Sequence, residues 1–141
     1  SLAQTFVKGN LYVLEPATQL GKAVAYTQAG AVTISPLSTT DGLQQWTITE
    51  LAGSWRIINP FSNLAVRCTD NGKVEMGENN GSDEFQLWKT EAAADGFYYL
   101  VPSNQPTKLH HPSKGITASS PKGTRKNHQN MFPPLNPERV R

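Results

Sequence analysis

Asp41-Gly42-Leu43-Gln44-Gln45-Trp46 and Asp83-Glu84-Phe85-Gln86-Leu87-Trp88 both end in Gln-x-Trp, and the two tryptophans stand 42 residues apart. Self-similarity at a fixed period is the sequence signature of a repeat architecture. Other columns keep the period. The aromatic-led segments Tyr12-Val13-Leu14, Trp55-Arg56-Ile57 and Tyr98-Tyr99-Leu100 begin 43 residues apart. Val24, Val66 and Leu109 follow at spacings of 42 and 43. The turn glycines Gly30, Gly72 and Gly115 also fall 42 and 43 residues apart. A third Gln-x-Trp is therefore due near the end, and Asn130-Met131-Phe132 is a degraded copy 44 residues after Trp88.

Each unit holds short apolar segments separated by turn residues. Asp70-Asn71-Gly72-Lys73 lies between Leu64-Ala65-Val66 and Val74-Glu75-Met76. An Asn-Gly pair between alternating segments predicts a hairpin with Asn71 and Gly72 at its two central positions, because both tolerate positive φ. Taken alone, Ser82–Asp95 would suit a helix, with Phe85, Trp88 and Ala92 on one face. The repeat favours strands. The unit is four short strands, present three times at about 5–47, 48–90 and 91–133. Threefold repetition of four strands predicts an all-β trefoil over 1–133, with pseudo-threefold symmetry. Residues 134–141 form a Pro-rich tail or linker. Trp46, Trp88 and Phe132 are expected to fill the shared core, with Gln44 and Gln86 satisfying backbone groups from the same strand face.

The bulk numbers agree with one domain. The chain has 141 residues, 37% hydrophobic and 17% charged. No stretch of 18 apolar residues is present, so no membrane span is expected. The single Cys68 excludes an internal disulfide and reads as a small core residue. Ser1-Leu2-Ala3 resembles the small-x-small end of a signal peptide, and secretion is the expectation.

Three units of about 43 residues with Gln-x-Trp near their ends resemble the ricin B-chain-like β-trefoil family. The resemblance covers residues 5–133 and implies a carbohydrate-binding domain, alone or attached to an enzyme or toxin. The family's galactose-type site uses an Asp on the second strand, an aromatic ring after the third, and an Asn before the Gln of Gln-x-Trp. Here the Asp positions hold Ala23, Ala65 and Lys108, and the ring positions hold Ser35, Gly77 and Ser119. The Asn positions hold Leu43, Phe85 and Gln129. A sugar's hydroxyl pair wants a charged acceptor and its apolar face wants a ring, so the usual monosaccharide site is not expected.

Charge offers another place. Residues 1–103 carry six Lys/Arg against ten Asp/Glu, whereas 104–141 carry seven against one. Lys108, His110, Lys114, Lys122, Arg125 and Lys126 make the third unit a candidate binding site for acidic or complex glycans. Few aromatics interleave these charges, so specific nucleic-acid binding is not expected. Adjacent His110 and His111 would point to opposite faces of a strand, and no zinc-type spacing occurs; neither metal nor cofactor is expected. Asp83-Glu84 are neighbours in a loop rather than carboxyls facing across a cleft, and no catalytic signature is present. The chain therefore reads as non-catalytic, with a catalytic neighbour in a larger protein as an expectation. Two functions stay open: a secreted carbohydrate-binding accessory domain, and a structural or protein-interaction trefoil without sugar binding.

Overall fold

The structure is a computed structural model and describes residues 6–16, 19–92, 97–104 and 124–125. Its regular elements are strands and two short 3-10 turns. The strands are β1 Lys22–Tyr26, β2 Val32–Pro36, β3 Thr47–Leu51, β4 Ser54–Asn59, β5 Leu64–Cys68, β6 Val74–Glu78, β7 Trp88–Ala92, β8 Phe97–Pro102 and β9 Thr124–Arg125. The turns are Gly42–Gln44 and Glu84–Gln86. β1 and β2 pair as a hairpin, and the order β6-β5-β4-β7-β8-β9, with β3 also on β4, makes the larger sheet. Every pairing is antiparallel.

The period seen in the sequence returns as geometry. Tyr12 bridges to Trp46, and one repeat later, at offsets of 43 and 42, Trp55 pairs with Trp88. β1 pairs with β2 from Lys22↔Pro36 to Tyr26↔Val32, and β5 pairs with β6 from Leu64↔Glu78 to Cys68↔Val74, each step shifted by 42. Two units are thus visible among the described residues. Of the third, β8 and β9 are described, and Phe132 lies outside. The segment Tyr12–Leu14 makes a single bridge at Tyr12 rather than a strand.

The hairpin tips correct one expectation. In both units the loop holds three residues: Thr27 and Ala31, and Thr69 and Lys73, close the ends through N–H to C=O bonds of 2.9 Å. Gly30 and Gly72 donate back to Thr27 and Thr69, each at 2.9 Å, and sit at φ +92° and +88°. Gly72 is therefore the fourth residue of its tight turn, not a central one; Asp70 and Asn71 occupy the centre. This is the type I turn followed by a left-handed residue that three-residue hairpins favour. Thr27 and Thr69 each also accept a bond through the side-chain Oγ1, from the amides of Ala31 and Lys73.

The described part of the Ser82–Asp95 stretch, up to Ala92, is not a helix: it gives one 3-10 turn and then β7, as the repeat requires. The main apolar cluster joins residues from Phe6 to Val101 and includes Trp46 and Trp88, both fully buried, and a small second cluster gathers around Val13 and Ala23. Trp46 Nε1 donates to Val24 O at 3.1 Å, and Trp88 Nε1 to Val66 O at 3.0 Å. Each indole thus fills the core and ties its unit's last segment to the second strand, so neither ring leaves a buried donor unpaired.

Candidate functional site

Gln44 and Gln86 lie at the last position of the 3-10 turns, not on strands as expected, but they do the bonding expected of them. Gln44 Nε2 donates to Pro36 O at 2.7 Å and its Oε1 accepts Ser38 N at 3.0 Å. Gln86 Nε2 donates to Glu78 O at 2.7 Å and its Oε1 accepts Asn80 N at 3.1 Å. Each glutamine closes the gap where the third strand ends. Each turn is opened by an aspartate cap: Asp41 accepts Leu43 N, and Asp83 accepts Phe85 N. An acceptor at this place satisfies a donor that the turn leaves orphaned.

In the second unit these parts enclose an open cleft of about 480 Å³ lined by Arg67, Glu75, Met76, Gly77, Glu78, Asn79, Asn80, Asp83 and Gln86. Arg67 crosses it. Its Nε donates to Asp83 Oδ2 at 3.0 Å, its Nη1 pairs with Glu75, and its guanidinium lies 5.2 Å from the centre of the Phe85 ring. Asp83 also accepts from Gln86 Nε2. Burial pushes the Asp83 carboxyl up, but bonds from Arg67, the Phe85 amide and Gln86 outweigh it and hold the group below its ordinary range. The Arg67 guanidinium is held more firmly protonated, chiefly by the Asp83 bond, with Glu75 adding to it. Behind the cleft, buried Arg56 donates Nη2 to Gln86 Oε1 at 2.7 Å and to Asn79 Oδ1. Burial lowers the Arg56 pKa, and the charge of Asp83 offsets part of this.

The positions that hold Asp and ring in the galactose-type site face each other here. Ala65 pairs with Gly77 across β5 and β6, as Ala23 pairs with Ser35 across β1 and β2. The framework is kept while the side chains are replaced. At Gly77 the replacement is physical: a Cβ there would lie 2.6 Å from Arg67 Cδ. Arg67 therefore occupies the space a ring at 77 would need. The first unit has no counterpart, since Ala25 and Thr33 stand where Arg67 and Glu75 stand in the second.

The sequence reading did not bring Arg67, Glu75 and Asp83 together. Their signal was partly present, because Asp-x-x-Gln occurs at both Asp41–Gln44 and Asp83–Gln86. Arg67 and Glu75 are cross-strand partners in a hairpin, but the two-residue loop expected at Asn71-Gly72 would set Arg67 opposite Met76; the observed three-residue loop sets it opposite Glu75. Of the expected third-unit site, Lys108, His110, Lys114, Lys122 and Lys126 lie outside the described residues. Arg125 is in β9, opposite Phe97 of β8. Asp83 and Glu84 are adjacent, and Asp83 spends its carboxylate on capping and on Arg67. Among the described residues no three His, Cys, Asp or Glu groups converge as a metal site would need, and no helix is long and apolar enough to cross a membrane.

The family model described as ricin-type beta-trefoil lectin domain-like matches residues 42–120. That is more than half of the chain, and the chain belongs to this family. Solved structures agree on the fold. The designed 3-fold symmetric protein ThreeFoil is similar with TM-score 0.58 and 24% identity, over 68% of this chain and 74% of that one. A GlcNAcα1-4Gal releasing endo-β-galactosidase from Clostridium perfringens gives TM-score 0.61 and 17% identity, over 70% of this chain and 25% of that one. The Polyporus squamosus lectin, solved with the epitope Neu5Acα2-6Galβ1-4GlcNAc, gives 0.59 and 15%, over 72% of this chain and 39% of that one. This chain thus spans a quarter of the galactosidase and about two fifths of that lectin. No curated protein matches the chain.

Proposed function

We propose that this domain is a non-catalytic carbohydrate-binding module whose second unit binds a neutral glycan in the cleft beside Arg67. The observation that supports this is the cleft itself. It is lined by Gly77, the position that the resemblance assigns to the sugar-stacking ring, and it is walled by fixed polar groups in place of the usual Asp and ring. Arg67 already answers two carboxylates, so an acidic sugar would find no uncompensated cation there. Glu75, Glu78 and Asp83 would repel it further. Acidic or sulfated chains would instead be bound by the third unit, through Lys108, Lys114, Lys122, Arg125 and Lys126. Secretion, and attachment to a catalytic domain acting on polysaccharide, belong to the same reading.

The test is a glycan array spanning neutral, sialylated and sulfated structures, followed by calorimetry on the ligands found. Simple galactosides are expected to bind no tighter than millimolar. Neutral oligosaccharides are expected to bind wild type and to lose affinity in Asn80→Ala, which removes an amide from the cleft wall. A domain that binds no glycan of any class would instead be a structural or protein-interaction trefoil. The replacement of the site residues in both described units is the observation that favours that second reading.

A further inference from the structure

We propose that Phe61 is a stacking platform for an uncharged pyranose ring, extending a glycan's contact beyond the cleft; this rests on the carbohydrate-binding reading above. Phe61 sits in the turn between β4 and β5. At 66% it is the most exposed large apolar side chain among the described residues. The repeat does not demand it, because the positions 43 residues before and after hold Thr18 and Asn104. A core-building ring would recur in the column; a ring added to one unit's surface serves something else.

The platform is built rigidly. Asn59 is fully buried and anchors the turn. Its Nδ2 donates to Gly42 O at 2.7 Å and Gln45 O at 2.9 Å, and its Oδ1 accepts Phe61 N at 3.1 Å and Ser62 N at 3.0 Å. The Ser62 hydroxyl also donates to Asn59 Oδ1 and bonds the Tyr26 hydroxyl at 2.7 Å. The ring rests on the first 3-10 turn: a methyl at Gly42 would come within 3.4 Å of its Cδ2. At the far end of the turn, Asn63 takes φ +61° and accepts two bonds from Asn79, at 2.9 Å from the side chain and 3.2 Å from the backbone. Asn79 lines the cleft. The same turn thus presents the ring and grips the cleft wall.

The occupant follows from size and charge. One ring buries at most about 150–250 Å², whereas a stable protein partner covers about 800 Å² on each side. Leu43, exposed on the adjoining 3-10 turn, is one further side chain and leaves the patch far below that area. A single sugar face matches a single ring. The segments Asp41–Gln45 and Asn59–Asn63 contain no Lys or Arg, so nothing there would compensate an acidic sugar.

The test is affinity electrophoresis of the full chain in gels cast with laminarin, xylan or galactan. Wild type is expected to be retarded by at least one of them. Phe61→Ala and Phe61→Thr, the latter borrowing the first unit's residue, should each weaken that retardation by about tenfold, the change expected when one well-packed contact is lost. Phe61→Tyr should retain it, and the melting temperature of all three should stay near that of wild type. Retention lost in Asn80→Ala but unchanged in Phe61→Ala and Phe61→Thr would overturn the platform and leave the cleft reading standing. Wild type that runs freely in every gel would overturn both. A dimer by light scattering that becomes monomeric in Phe61→Ala would also overturn the proposal, assigning the ring to a second copy.

Discussion

At the scale of single residues, the two Gln-x-Trp motifs are structurally alike but differ in what depends on them. Gln44 serves neutral backbone groups and its cap, whereas Gln86 also accepts from the buried guanidinium of Arg56. Gln86→Ala should therefore destabilise more than Gln44→Ala, by about 1–3 kcal/mol, because a buried charge loses a partner. Chemical denaturation followed by circular dichroism measures the difference. Asp83 gives a pH signature. Its folded carboxyl titrates below its ordinary value, so ionisation favours folding above the unfolded value near about 3.9. That contribution disappears as pH falls through the lower folded value. Asp83→Asn should flatten this part of the acid unfolding curve. Cys68 behaves in the opposite sense: burial pushes its thiol up to about 11, and the side chain is fully enclosed. It should resist alkylation by iodoacetamide at pH 8 until the protein is denatured. The core roles of Trp46 and Trp88 could be read from their shared column, because a ring that recurs at fixed spacing is held by packing. The Arg67–Asp83 pair could not, because only Asp83 recurs, as Asp41, whereas Ala25 stands in the place of Arg67.

At the scale of elements, the hairpin tips carry the clearest consequence. Gly30 and Gly72 hold the left-handed position that closes a three-residue loop. Gly72→Ala should cost roughly 1–2 kcal/mol, since a Cβ in that conformation meets the carbonyl. Asn71→Gly, at the centre of the same turn, should cost less. Scanning calorimetry on the two variants checks the order. The Asn-Gly pair announced the hairpin but not its register, because it fits two loop lengths and each sets a different pairing. Choosing between them depends on the threonine that closes the loop at 69, as at 27, a residue that composition alone does not distinguish. The helical face of Phe85, Trp88 and Ala92 was a local signal too, and the repeat rightly outweighed it. An aspartate cap and a glutamine bonded to the preceding strand stop that segment after one turn, and cross-strand pairing takes over.

At the scale of the whole molecule, the main apolar cluster draws on residues from Phe6 through Leu100 and Val101 and so on all three units. Trp46→Ala or Trp88→Ala should each cost roughly 3–5 kcal/mol, and the loss should lower one cooperative transition rather than split it. Coincident far- and near-ultraviolet dichroism melts would show this; two separated melts would mean units that fold apart. The burial of all three tryptophans, Trp46, Trp55 and Trp88, has an optical consequence as well. With no indole in water, the native emission should lie to the blue and resist quenching by acrylamide or iodide. A sugar docking in the cleft or on Phe61 would touch none of these fluorophores, so a titration by natural emission would stay silent even at saturation. Phe61→Trp would place the molecule's one wet indole on the proposed contact surface, turning a protein whose light reports only folding into one whose light reports its ligand.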